Sequence, residues 1–460
     1  MGAYSIYCVM RIVATVIGVL MNCVVTAQYQ TGMSFDDASY AAVPVTSPLS
    51  RGDFDNLPAS VSLQQFAPTP GNQGQTGTCV AWSSAYHART ILESIRMNRI
   101  DIRQINANVY APSFVYNQIR KEPGCDRGTF IHEALELMSA KGVPKYSEMP
   151  FDCNRQIGEN DLALASSHRI QGYKILFNIN DNNKILPVKK SLSEHKPVLI
   201  GMMVPESFFG PKGVWQPKQE EFVKSHPGHA MVTIGYDDNA YGGSFLVMNS
   251  WGTTWGNQGF IWIKYNDFAH FVKYAFEIIE RLPEEKSFVG GLVLKKTDGS
   301  NMNVKKVSEG FYKTTSSYSS GTAFRIYINN ERPAYIYAIG SDLTKTCYQI
   351  FPHKPNISPY LGYKQSNVPI PDENHYVRMD QQSGKDYLCV LYSSVQLDPS
   401  VIMRELQSAS GNTFMERLQN SLGSKLKTDG AIRFDGSAAS FEGKFSGEGI
   451  VPIVIEIDHL

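Results

Sequence analysis

Apolar residues recur along this chain in two rhythms. Ala81, Ala85, Ala88, Leu92 and Ile95 are spaced by four, three, four and three, which predicts one buried face of a helix. A glycine-rich loop, Gly71-Asn72-Gln73-Gly74-Gln75-Thr76-Gly77, leads into that helix and puts Cys79 in its first turn. A second helix is predicted where Ile131, Ala134, Leu135 and Met138 share a face, with Thr129 as N-cap and Gly142 and Pro144 as the stop. Residues 185–194 read as helical and lead into a strand at 197–203. From Ser225 the rhythm becomes that of strands. Runs rich in β-branched residues at 230–236, 245–250 and 259–264, with a turn at Tyr241-Gly242-Gly243, predict an antiparallel sheet. Helices first and strands afterwards make an α+β fold.

The second half keeps the β rhythm. Runs at 288–294, 323–328, 334–339, 348–352 and 387–392, with turns at Asn329-Asn330 and Ser358-Pro359, predict a sandwich or small barrel. Residues 399–422 predict one amphipathic helix, followed by a β-prone tail from Ile432. Between 28 and 56 periodicity lapses, and Pro44 and Pro48 interrupt a polar stretch that reads as a linker or short pro-segment. Pro283-Glu284-Glu285-Lys286 reads as a hinge. At 460 residues the chain exceeds one ordinary core. The expected organisation is 1–27, a signal peptide; 28–56, the linker or pro-segment; 57–283, the α+β domain; 284–300, a linker; and 301–460, a smaller β-rich domain.

The first 27 residues carry the export expectation. Arg11 is the positive flank, 12–21 the apolar stretch, and Val25-Thr26-Ala27 the small residues that a signal peptidase needs. The apolar stretch is too short for a comfortable membrane span, and an uncleaved anchor is the other reading. The protein is therefore expected outside the cytoplasm: secreted, periplasmic or on the cell surface, with no membrane span after the signal is removed. Lys+Arg and Asp+Glu both number 43, so the balanced charge offers no support for a nucleic-acid partner. Of seven cysteines, Cys8 and Cys23 leave with the signal. The distribution of the other five suggests Cys125–Cys153 and Cys347–Cys389 as bridges, with Cys79 left over. A thiol in the first turn of a helix meets unpaired N–H groups and the positive dipole end, which favour the thiolate. Its plain alternative is a small buried hydrophobe opening a core helix.

His229 begins the 230–236 run, and Asn249 closes the 245–250 run ahead of Ser250-Trp251-Gly252. A lone cysteine upstream of a histidine and an asparagine on neighbouring strands is an arrangement for nucleophilic catalysis. His226 is a rival for the imidazole. The pieces Gln73-Gly74-x-x-Gly77-x-Cys79-x-Ala81-Trp82, Gly228-His229-Ala230 with Gly235-Tyr236, and Asn249-Ser250-Trp251-Gly252 with Trp255-Gly256 and Gly259 resemble the papain-like (C1) cysteine peptidases over residues 57–283. A secreted bacterial type is the nearest match in kind, and residues 301–398 resemble an uncharacterised β appendage found after secreted bacterial enzyme domains. The resemblance implies a two-lobed fold, one lobe helical and one of antiparallel strands. It also implies protein or peptide substrates, no cofactor and no metal.

The roles it implies are specific. Cys79 is the nucleophile, held as thiolate beside a protonated His229, which then gives its proton to the leaving amine. Asn249 orients the ring through its side-chain oxygen. Gln73 and the Cys79 backbone N–H stabilise the oxyanion. Trp251, on the cleft wall, covers the His–Asn bond, and Gly128 lets a substrate strand approach. Three departures stand beside these. Thr76 occupies the place of a family cysteine, Arg127 the place of a glycine, and the long helical pro-region is absent. The competing functions are a catalytically silent papain-like scaffold that binds, and an exopeptidase or transferase on the same triad. The β-rich half shows no chemistry-bearing constellation and reads as a binding or positioning module whose ligand the sequence leaves unknown.

Overall fold

A computed structural model of the chain describes residues 29–46, 54, 56–281, 285–362, 368–428 and 430–460. The expected signal peptide and Pro283 and Glu284 of the expected hinge lie outside these residues.

The Cys79 helix is one continuous rod made of Cys79–Ala81, a stretch of wider π-type turns over Trp82–Arg89, and Thr90–Arg96. Its apolar face is fully buried, with Ala81, Ala85, Ala88 and Ile91 inaccessible to solvent. Pro112–Ile119 and Ile131–Ala140 pack around it as the rest of a helical lobe. The second lobe is a sheet ordered Gly172–Ile175, Val272–Ile279, Val198–Met203, Gly228–Asp237, Ser244–Met248, Phe260–Lys264, Val214–Trp215, antiparallel except for the last pair. The Ser83 hydroxyl donates to the Ala230 carbonyl at 2.7 Å, joining the Cys79 helix to the Gly228–Asp237 strand, which also carries His229.

The C-terminal half is two facing sheets. One runs Val304–Ser308, Phe311–Thr314, Ile450–His459, Gly384–Ser393, Ala334–Ser341, Cys347–Phe351; the other runs Val368–Ile370, Ala323–Asn330, Glu285–Lys296, Ala439–Ser446, Ile432–Phe434. Leu292, Ile326, Ile336, Val390 and Ile453 fill the space between them. Two helices, Pro399–Ser408 and Phe414–Leu422, cover the outer face of the first sheet through Ile402, Leu406, Phe414 and Leu418. That sheet is thus buried on both faces. This is why all of Ala334–Ser341 is buried rather than alternating.

Three expectations need correction. The 284–300 linker is instead mostly the strand Glu285–Lys296, in the middle of its sheet between Ala323–Asn330 and Ala439–Ser446. The single helix at 399–422 is two, because Thr413 and Glu416 form a capping box that starts a new helix after Gly411 at φ 142°. The Cys125–Cys153 bridge is present, but Cys347 and Cys389 are free. Cys347 pairs with Ser341 and Cys389 with Ile339, on opposite sides of the same strand. Two strand spacings alone separate them by roughly 9–10 Å, before the two-residue offset along the strand is added, beyond the ~7 Å limit for a bridge.

Candidate active site

The site is assembled by two loops that hold each other. The Gln73 N–H donates to the Ser250 carbonyl (2.9 Å), and the Gly252 N–H donates to the Gly71 carbonyl (2.9 Å). The Ser250 hydroxyl donates to Gln73 Oε1 at 2.7 Å, which leaves the Gln73 NH2 group facing inward. From below, the buried His87 accepts the Gly71 N–H on Nε2 at 3.1 Å. That brace went unread in the sequence, where His87 has no motif around it. Thr76 does the work that a bridge does elsewhere: its hydroxyl donates to the Gln73 carbonyl (2.6 Å) and lies 2.7 Å from that of Thr78. The Gly77 N–H donates to the Cys125 carbonyl (2.7 Å), linking the loop to the disulfide.

His229 Nε2 lies 2.7 Å from Asn249 Oδ1. The same oxygen accepts the Ser250 N–H at 2.7 Å, so it is an acceptor and Nε2 carries the proton. Nδ1 then presents a lone pair, and it is buried with no hydrogen-bond partner. The Cys79 sulfur lies within reach of the backbone N–H of Ala230, the residue next to His229. Trp251 stacks on the imidazole at 4.5 Å between ring centres, sealing the His–Asn bond from solvent. His226 faces elsewhere, with Nε2 2.7 Å from the Glu221 carbonyl.

Residues 59–276 match the family model described as papain family cysteine protease. Papain of Carica papaya is 29% identical over 227 residues, covering 47% of this chain and 57% of papain's sequence. A cysteine protease of Blomia tropicalis is 24% identical over 234 residues, covering 48% of this chain and 67% of the relative. Over residues 59–276 the chain is similar to the papain-like cysteine peptidases. The chain spans 57 to 69% of the length of such curated relatives. Among solved structures, that of xylellain, a cysteine protease from Xylella fastidiosa, aligns with TM-score 0.45 and 20% identity over 55% of this chain and 97% of that one.

The cleft of the papain-like domain is filled by the chain's own N-terminal segment. Tyr29 stacks on Trp251 at 4.9 Å, and the Gln30 carbonyl accepts both Gln73 Nε2 (2.9 Å) and Trp251 Nε1 (3.2 Å). Gly32 crosses Gly77 so closely that a Cβ there would lie 2.1 Å from the Gly77 carbonyl oxygen. The Thr129 N–H donates to the Gly32 carbonyl (3.0 Å), the Ser34 N–H to the Thr129 carbonyl (3.0 Å), and the Met33 N–H to the Gly228 carbonyl (3.1 Å). Gly128 makes room for this strand: a Cβ there would meet Ser34 Oγ at 3.1 Å. Arg127 turns outward to Glu122 at 3.0 Å, so its side chain leaves the cleft clear.

This cover sets the electrostatics. Cys79 and His229 are wholly inaccessible to solvent. Burial pushes the thiol up to about 11, against the pull of the Ala230, Gly32 and Val80 N–H groups. Burial likewise holds the imidazole down to about 4, against the Asn249 hydrogen bond. Burial thus works against the expected thiolate beside a protonated imidazole, raising the thiol and lowering the imidazole, and the N-terminal segment, whose Gly32 N–H meets the sulfur, is part of that cover.

Proposed function

We propose that the protein is an exported cysteine endopeptidase, latent in this conformation, that hydrolyses peptide bonds with Cys79, His229 and Asn249 as its triad. The observation that carries the reading is the buried Nδ1 lone pair of His229, which has no hydrogen-bond partner, on the residue next to Ala230, whose N–H meets the Cys79 sulfur. Once the segment leaves, Cys79 passes its proton to Nδ1 and the thiolate attacks the scissile carbonyl carbon. The oxyanion takes the Gln73 amide, which now holds the Gln30 carbonyl, and the Cys79 N–H. Collapse expels the amine, which takes the proton from His229 and leaves a thioester. Water, deprotonated by His229, then releases the acid and restores the thiol.

Endopeptidase action is favoured over exopeptidase action by the path of residues 29–35. A continuous chain runs past Cys79, with Tyr29 and Gln30 on the Trp251 side and Met33 and Ser34 on the Gly228–Thr129 side. A cleft that holds extended chain along its length suits the interior of a long substrate rather than a terminus. The segment itself escapes cleavage because the Gly32 N–H, not a carbonyl carbon, faces the sulfur. The reading is tested by mapping products from a long peptide after residues 29–46 have been removed by limited proteolysis. Internal cleavage abolished by Cys79→Ala is expected. Terminal trimming alone would overturn endopeptidase action. Absence of Cys79-dependent labelling by an epoxysuccinyl probe would favour the silent scaffold.

A further inference from the structure

The segment that fills the cleft does not end on the papain-like domain. Beyond the helix Asp37–Ala42, whose buried Tyr40 stacks on Tyr274 at 4.2 Å and donates to the Phe177 carbonyl at 2.7 Å, it continues to residues 44–46. There it enters a slot between the two halves of the molecule. On one side the Thr46 N–H donates to the Ile175 carbonyl (2.8 Å) and the Ile175 N–H to the Pro44 carbonyl (3.0 Å). On the other, the Val45 N–H donates to the Asn356 carbonyl (2.7 Å) and the Ser358 N–H to the Val45 carbonyl (2.8 Å). Val45 thus forms a parallel bridge to each half at once, and its side chain packs against both cores.

The wall supplied by the C-terminal half is itself fixed. Lys196, ion-paired to the buried Glu277 at 3.2 Å, donates to the Gly362 carbonyl at 3.1 Å. Lys174, also paired to Glu277, lies over the Tyr360 ring, and Ile279 packs with Tyr335 and Tyr360. An edge held this firmly against the papain-like domain can carry tension along the N-terminal segment.

We propose that the 356–358 edge of the C-terminal half is a docking strand for the N-terminal segment, so that the β-rich half is a working part of the latency device rather than an independent appendage. The slot takes one short, extended piece of main chain, offering an acceptor and a donor two residues apart and an apolar pocket for a β-branched side chain between two cores. The chain's own Val45 meets each of these demands. The proposal rests on the reading of residues 29–46 as an occluding segment.

The test is the full chain carrying Val45→Pro, which deletes the donor to Asn356 while keeping an extended backbone and an apolar body. Two quantities are read: hydrogen exchange of the segment 29–34, and iodoacetamide labelling of Cys79. Tyr40→Ala, which loosens the anchor on the papain-like domain alone, is the positive control for exchange. Loss of one hydrogen bond should raise the open population, and both rates with it, about fivefold. Exchange unchanged in Val45→Pro but raised in Tyr40→Ala overturns the docking strand. Faster exchange with no gain in Cys79 labelling upholds it, while counting against Cys79 as an activated nucleophile.

Discussion

Cys79 and Cys389 are both free, both fully buried and both held above an ordinary thiol, yet they sit in opposite kinds of surroundings. Cys389 lies in a central strand of a sheet covered on both faces, among Tyr337, Leu391 and Leu418. Burial raises it, and its sulfur neighbour Cys347 raises it further. Cys79 is raised by burial alone, and every other influence on it is a backbone N–H that pulls the other way. Part of the cover over Cys79 is the N-terminal segment, whose Gly32 N–H meets the sulfur, whereas the cover over Cys389 is a folded core throughout. Burial of the same extent is therefore removable in one half and permanent in the other.

The comparison breaks most sharply under alkylation. With residues 29–46 removed by limited proteolysis, Cys79 should react with iodoacetamide at pH 7 at least about 100-fold faster than in the intact chain, since a thiol at about 11 is only ~0.01% ionised there. Cys389 should stay unlabelled in both forms. Peptide mapping of the alkylated sites reads this, and equal rates at Cys79 would mean that the segment does not control access.

A change within the reacting half should cost turnover without costing the fold. Gln73→Ala removes the amide that now holds the Gln30 carbonyl, and kcat of the enzyme freed of residues 29–46 should fall about 100- to 1,000-fold. The measurement is steady-state cleavage of a fluorogenic peptide, and a change confined to KM would place Gln73 in binding instead.

Stability separates the halves next. Cys125→Ser opens a bridge spanning a sequence separation of 28 and should cost about 3–4 kcal/mol in urea unfolding. Cys347→Ser, with no bridge to lose, should stay within about 0.5 kcal/mol. Similar losses for the two would mean that Cys347 is engaged after all.

The smallest effect is on pH dependence. Burial holds His87 down to about 3, against 6.5 for a free imidazole. Below pH 6.5 the unfolded chain binds a proton that the folded chain refuses, so stability falls as pH falls. Between pH 6.5 and 5 this amounts to about 2 kcal/mol. His87→Gln keeps an acceptor for the Gly71 N–H and should flatten the fall by that amount, read from urea curves at pH 7 and pH 5. An unchanged slope would assign the loss to other groups.

Much of the candidate site's framework was legible because it is written locally. The Gly71–Gly77 loop, the helix periodicity after it and the two strand runs carrying His229 and Asn249 each announce their element within about ten residues. Cys125–Cys153 could be named from distribution, since both residues fall in one loop-rich stretch. Less legible were features that depend on partners far along the chain. Residues 29–34 and 44–46 look featureless because extended pieces of chain satisfy their backbone against other elements, namely Thr129, Gly228, Ile175 and Asn356, and need no periodicity of their own. The 284–300 stretch was misread for a related reason. Hinge-like Pro283 and two acidic residues mask a strand whose neighbours come from 323–330 and 439–446.

The sequence by itself determined the elements that carry Cys79, His229 and Asn249, because helix and strand periods and turn chemistry act over a few residues. Tertiary structure alone decided their state. Whether Cys79 is a thiol or a thiolate depends on how much water reaches it, and that is set by a segment some fifty residues upstream, braced at Val45 by a strand some three hundred residues downstream. Solvation of a charge is a property of everything packed around it, and no local pattern encodes what will come to lie on top.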